Sequence, residues 1–154
     1  MANEILKSGL DPACIRVELN ATGRDEAIRE LVGLIHAKHR LRNMEDVVQV
    51  VMDREQKMST SLENGIAVPH GKSASIDKLL VAVGIKQKGI DFKSADGQPS
   101  KIIILILSSV TQAGPHVRCL AEIGRLLQSE TNRKKILTAK DAETIFRIMT
   151  DTGI

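Results

Sequence analysis

The segment Lys101 to Leu107 reads KIIILIL, an unbroken aliphatic run dominated by β-branched Ile. A run this short and this apolar suits a strand buried on both of its faces. Leu79 to Lys86, LLVAVGIK, has the same character, so both segments are expected at the centre of a sheet. A strand buried on both faces needs covering elements on both sides, which points to an α/β fold.

The remaining segments supply that cover. Cys14 to Leu19 alternates, with Ile15, Val17 and Leu19 at period two, and reads as a half-buried edge strand. Thr22 and Asp25 form a capping pattern ahead of Ala27, Ile28, Leu31, Val32, Leu34 and Ile35, which predict a helix to about His39. Asn43 and Asp46 repeat that pattern before Met44, Val47, Val48 and Val51, a second helix ending near Glu55. Lys57 to Gly65 is polar and reads as a loop, with Gly65 suited to positive φ before Ile66 to Val68.

Between the two strong strands, Gly89 to Phe92 fits a short strand and Ser94 to Pro99 a turn. Pro115 fits the first position of a third helix, with Val117, Leu120, Ala121, Gly124 and Leu127 as its buried face. A short strand near Ile136, a capping box from Thr138 to Asp141 and a last helix with Ile145, Phe146, Ile148 and Met149 complete the chain. The expectation is a single domain over residues 1–154, a mixed β-sheet sandwiched between helices.

Composition narrows the function. Tyr and Trp are absent and there are two Phe, so the stacking platforms of single-strand nucleic-acid binders are hard to build. A formal net charge of +3 is no nucleic-acid footprint either, and no nucleic-acid partner is expected. Cys14 and Cys119 are too few and too far apart for a disulfide framework or zinc site, and read as buried thiols. No apolar run approaches 18 residues and the N-terminus lacks a signal-peptide pattern; the expectation is a cytoplasmic protein with no direct membrane insertion.

Reactive groups gather at two places. His70 follows Pro69, which biases Val68 toward extended geometry, and precedes Gly71, which can turn sharply and bring amides near a ligand. A neutral imidazole there is a competent nucleophile when one ring nitrogen is fixed by a hydrogen bond; the local pattern fits a structural histidine equally well. His116 falls in the first turn of the third helix, where the dipole disfavours an imidazolium and favours an anion nearby. It suits a donor to a phosphoryl oxygen, or simply a capping or surface role. Arg54, ending the second helix, could clamp a phosphoryl oxygen or face solvent. His36 and His39 are three apart without a third ligand nearby and read as surface residues. Gly65 to Ser73, GIAVPHGKS, is not a nucleotide phosphate loop, because five residues separate its glycines where that motif has four.

Arg54-Glu55, Ser59-Thr60-Ser61, Gly65-Ile-Ala-Val-Pro-His70-Gly71, Gly89-Ile-Asp-Phe92, Asp96-Gly97-Gln-Pro99 and His116 with Leu120 form a pattern along nearly the whole chain. It resembles the EIIA domain of the fructose, mannitol and nitrogen-regulatory branch of the bacterial phosphoenolpyruvate-dependent sugar phosphotransferase system. Val117 departs from the Leu common after the second histidine of that branch. The resemblance implies a phosphocarrier with a mixed sheet between helices and no metal or organic cofactor. It implies that His70 takes a phosphoryl group from the phosphohistidine carrier HPr and passes it to an EIIB domain, itself linked to a membrane EIIC permease. In the fructose and mannitol branch the EIIB acceptor is a cysteine. His116 would match the second active-site histidine and Arg54 the active-site arginine. The alternative within the same branch is a nitrogen-regulatory protein whose phosphorylation state controls binding to regulatory partners.

Overall fold

The computed structural model describes residues 3–111 and 113–151. Its elements run α1 (Glu4–Gly9), β1 (Leu10–Arg16), α2 (Arg24–His39), α3 (Met44–Lys57), β2 (Ser61–Leu62), β3 (Ile66–Ala67), β4 (His70–Ser73), β5 (Leu80–Ile90), β6 (Ser100–Ser109), α4 (Ala113–Gln128), α5 (Glu130–Thr138) and α6 (Ala142–Thr150). The strands form one mixed sheet in the order β1-β5-β6-β3-β2, with β4 also paired to β6. β5 and β6 are antiparallel neighbours in its interior, and β3 and β4 both run parallel to β6. The mixed α/β sandwich expected from the aliphatic runs is the fold observed.

Period two divides those runs between two layers. Ile103, Leu105 and Leu107 of β6, with Leu80 and Ala82 of β5, pack among Ile28, Leu31, Ile35, Val47, Val48 and Val51 of α2 and α3. Ile102, Ile104 and Ile106, with Val81, Val83 and Ile85, pack among Leu6, Cys119, Ile123, Leu126, Leu127, Ile145 and Met149 of the other helices. Burial on both faces explains why these strands carry no polar alternation.

Several local readings hold. Asn43 caps α3, its side chain accepting from the Asp46 amide at 3.2 Å. Gly65 has φ of 73°, and β1 is an edge strand paired only with β5. Others are corrected by contacts the sequence does not display. β1 begins at Leu10, includes Pro12 and stops before Val17; an edge strand tolerates Pro12, and the β1–β5 register shifts between Leu10 and Ile15. Ile15 and Leu19 enter opposite core layers instead of sharing a face. The unexpected α1 docks on α4, where the buried Glu122 carboxylate accepts from the amides of Ile5 (3.0 Å) and Leu6 (2.9 Å).

Thr22 does not cap α2. Gly23 is the N-cap, and the preceding loop is held instead by Glu30, which accepts from the amides of Asn20 and Ala21 and from Arg16. The segment around Ile136 is helix α5, not strand, because Ser129 caps it through the Asn132 amide. Thr138 ends α5, and Asp141 is the cap of α6 through the Thr144 amide. The loop from Lys57 to Gly65 contains the two-residue strand β2, and Gly89-Ile90 continues β5 past an irregularity in its pairing.

In α4 the helix starts at Ala113, two residues before Pro115, and its buried face overlaps the expected one only in part. His116, Cys119, Glu122, Ile123, Leu126 and Leu127 are buried, whereas Val117 is 63% exposed and Ala121 and Gly124 face outward. Of the expected stripe Leu127 is buried and Leu120 packs on the core, and the rest of the buried face includes a histidine and a glutamate that an apolar pattern does not mark.

Close packing gives two glycines opposite stability signs. A Cβ on Gly84 would lie 2.5 to 2.8 Å from three side-chain carbons of buried Leu19. Gly84→Ala should therefore destabilise the protein by about 1–3 kcal/mol. Gly124, outward on α4 with nothing within 4 Å of such a Cβ, should gain about 0.4–1 kcal/mol as Ala. Urea denaturation of both variants reads the two signs, and equal midpoints would contradict the packing.

Candidate functional site

The strand alongside β6 is interrupted at Pro69, which has no N–H to give. β3 pairs Ile66 and Ala67 with Ile102 and Ile103; after Pro69, β4 resumes in the same register with His70 beside Ile106 and Lys72 beside Ser108. His70 thus opens a strand, where the sequence reading had strand giving way to loop. Gly71 is likewise not a turn residue: it is buried in β4, and a Cβ there would sit 3.0 Å from Val50 and Val51 of α3. It permits close packing of α3 on the strand.

Alternation then sorts the site. Gly71 faces α3, so His70 and Lys72 project to the opposite layer, beside Ile106 and Ser108. His116 reaches the same place from the first turn of α4. The two imidazole rings lie with centroids 5.0 Å apart and planes at 67°, edge to face. His70 is half-buried and His116 is 5% exposed. The two histidines singled out in the sequence are therefore neighbours.

His70 is held by the backbone just before it. Its Nδ1 lies 2.9 Å from the Val68 carbonyl oxygen. A carbonyl can only accept, so Nδ1 carries the proton and, in the neutral ring, Nε2 keeps its lone pair. The Val68 carbonyl is itself fixed by a chain of contacts from the end of α3. Buried Glu55 accepts from the Thr60 amide at 2.9 Å and from its hydroxyl at 2.5 Å, and the Val68 amide donates to the Thr60 carbonyl at 3.1 Å.

Arg54 precedes Glu55 and donates from Nη1 to the Met58 carbonyl at 2.9 Å. Its charge is felt at His70. Burial pushes the His70 imidazole below its ordinary value, the Val68 hydrogen bond opposes this, and the Arg54 guanidinium, opposed by Glu55, adds to the depression. His116 is pushed down to about 4, first by burial and then by the nearby charges of His70 and Lys72. Both rings are therefore neutral at pH 7.

Lys72, Ser108, Glu55 and Thr60 were not singled out as functional. A signal existed for two of them. Lys72 stands two residues after His70, which in a strand means the same face, and the KIIILIL run of β6 changes abruptly to Ser108-Ser109 just where His116 lies above it. Elsewhere, Cys14 and Cys119 are buried thiols as expected, burial raising them to about 11 and about 12. His36 and His39, expected at the surface, are half-buried at the end of α2. Among the described residues no three His, Cys, Asp or Glu side chains gather as a metal site, and no helix is long and apolar enough to cross a membrane.

A family model described as phosphoenolpyruvate-dependent sugar phosphotransferase system, EIIA 2, matches residues 9–152. The chain is 30% identical over 138 residues to a nitrogen regulatory protein of Bradyrhizobium diazoefficiens, covering 90% of each. It is 28% identical over 135 residues to the fructose-specific EIIABC component of Bacillus subtilis, covering 88% of this chain but 21% of that protein, so it spans about a fifth of that relative's length. Among solved structures, nitrogen regulatory protein IIA-Ntr from Neisseria meningitidis matches with a TM-score of 0.88 at 23% identity, over 95% of this chain and 99% of the other. IIA mannitol from Escherichia coli matches with 0.76 at 22% identity, over 91% and 98%. At these identities the structural likeness establishes the shared fold.

The depressed imidazoles make stability depend on pH. Unfolding returns His116 to an ordinary value near 6.5 from about 4, so between these the unfolded chain binds more protons. The stabilisation is complete above about pH 6.5 and is lost as pH falls toward about 4. Urea midpoints should fall between about pH 7 and about pH 5, and His116→Gln should remove part of that fall. An identical pH slope in the variant would contradict the burial of a neutral ring.

Proposed function

The chain belongs to the EIIA 2 family of the phosphoenolpyruvate-dependent sugar phosphotransferase system, a family of phosphocarrier domains, and on that premise we propose that His70 is its phospho-acceptor and that its output is regulatory. The observation that carries the first part is the His70 Nδ1 contact with the Val68 carbonyl, which presents a neutral ring with a free Nε2 lone pair. In the transfer, that lone pair forms a bond to phosphorus as the N–P bond of the phosphohistidine carrier HPr breaks, its electron pair returning to the HPr imidazole. His70 keeps its Nδ1 proton on the Val68 carbonyl throughout.

The transferred group is already phosphorylated at nitrogen, so the protein needs to align the two rings and meet charge on the three equatorial oxygens. His116, 5.0 Å from His70 between centroids, supplies a donor to one oxygen. Arg54 and Lys72 supply positive charge, which offsets the roughly −1.5 to −2 added by phosphorylation. Exposed Met58, whose carbonyl Arg54 grips, and exposed Val117, next in sequence to His116, offer a docking partner apolar contact.

The regulatory output rests on similarity along nearly the full length of nitrogen regulatory proteins, with 90% of both sequences aligned to the Bradyrhizobium protein. In that reading the charge added at His70 changes which regulatory proteins bind this face. Relay to a fructose- or mannitol-type EIIB cysteine, coupled through EIIC to uptake, is the competing output, favoured by the fructose-specific relative.

Incubation with phosphoenolpyruvate, enzyme I and HPr should place an acid-labile phosphate on the protein, and His70→Gln should abolish it. Label surviving that substitution would refute the assignment. His116→Ala should fold normally and slow phosphoryl transfer by about a hundredfold, with unchanged rates removing its role. Rapid discharge of the phosphoprotein onto a fructose-type EIIB cysteine would favour uptake over regulation.

A further inference from the structure

Ser108 lies on β6 beneath the first turn of α4, fully buried, with Oγ 2.9 Å from Nδ1 of His116. The two possible polarities of that contact are not equivalent. If His116 Nδ1–H donated to Oγ, the serine hydroxyl hydrogen would need an acceptor of its own, and Ser108 Oγ has no other hydrogen-bond partner among the described residues. A buried donor without an acceptor is costly. If Oγ–H donates to Nδ1, every hydrogen in the pair is used. Nδ1 is then the acceptor, and in the neutral ring the proton sits on Nε2.

His70 stands in the opposite arrangement. Its Nδ1 faces a carbonyl, which only accepts, and so its lone pair is on Nε2. The Nδ1 atoms of both rings are thus occupied, one by an obligatory acceptor and the other by a hydroxyl that serves best as donor. We propose that Ser108 is a positioning residue that holds His116 in the Nε2–H tautomer, making it a hydrogen-bond donor to the phosphoryl group carried at His70 Nε2. The catalytic part of this rests on the reading of His70 as phospho-acceptor.

The tautomer matters because the wrong one reverses the interaction. With the proton on Nδ1, His116 would present an Nε2 lone pair to an anionic phosphoryl oxygen and repel it, or compete as a second nucleophile. With the proton on Nε2 it stabilises the transferring group and leaves phosphorus to His70. The division of labour between two chemically identical side chains then comes from their backbone and hydroxyl partners. Arg54 and Lys72 supply charge but cannot supply this distinction.

The test is a long-range 1H–15N correlation spectrum of the histidine-labelled protein at neutral pH, wild type and Ser108→Ala, read beside the rate of phosphoryl transfer from HPr. Wild type should show His116 as Nε2–H and His70 as Nδ1–H. Ser108→Ala removes only the hydroxyl; His116 should lose its single tautomer and transfer should slow about tenfold, the loss expected from one ordering hydrogen bond. A wild-type His116 protonated at Nδ1, or an Nε2–H tautomer unchanged in Ser108→Ala, would overturn the assignment. A changed tautomer with an unchanged rate would overturn its role in transfer. If the wild-type protein takes no phosphate at all, the phosphocarrier reading falls, while the spectrum still decides what Ser108 does to His116.

Discussion

Along its outer side β6 is paired by two short strands, because Pro69 between them cannot donate to the ladder. The register nevertheless continues: His70 meets Ile106 as Ala67 meets Ile103, and the Pro69 carbonyl accepts from the Ile106 amide at 3.0 Å. The Val68 carbonyl, whose residue hydrogen-bonds on the side away from β6, accepts from the His70 ring. The geometry of the site follows from that bond. It fixes which nitrogen is protonated, and the alternation of β4 sets His70 and Lys72 on the layer occupied by α4 while Gly71 packs on α3.

Burial does the second part. Two imidazoles in contact would repel if both were charged, and the core around α4 penalises either charge, so both are held below their ordinary values. A neutral ring is what a nucleophile and an uncharged donor require. The cations stand outside the ring pair, Arg54 at the end of α3 and Lys72 on the exposed edge of β4. An anion entering the site would meet positive charge while both imidazoles stay neutral. The cost is borne by the fold as acid sensitivity, since neutral buried histidines favour the native state only where the unfolded chain is neutral too.

Much of this was legible in the sequence, for definable reasons. Strands buried on both faces announce themselves as aliphatic runs, and β5 and β6 were read as central. The Asn43 cap and the positive φ of Gly65 depend on nearest neighbours only, and both were read correctly. Failures fell where distant contacts decide. Glu30, not Thr22, organises the entry to α2; the segment around Ile136 is the exception, since its Ser129–Asn132 cap is as local as that of Asn43. The inward face of α4 was read only in part, at Leu120 and Leu127, because it also includes His116 and Glu122, each satisfied by partners on other elements, Ser108 for one and the α1 amides for the other. The site was half legible. His70, His116 and Arg54 could be singled out by type and position, but Ser108 and the Glu55–Thr60–Val68 connection are visible only once β6, β3 and the end of α3 are brought together.

The central claim is that the Val68 carbonyl makes Nε2 of His70 the nucleophilic atom. Nitrogen-15 labelling of histidine, followed by phosphorylation through HPr and measurement of 15N–31P coupling, identifies the bonded nitrogen directly. The coupling should appear at Nε2 of His70, with Nδ1 still carrying its proton. Phosphate bonded to Nδ1 of His70, or to either nitrogen of His116, would contradict the claim.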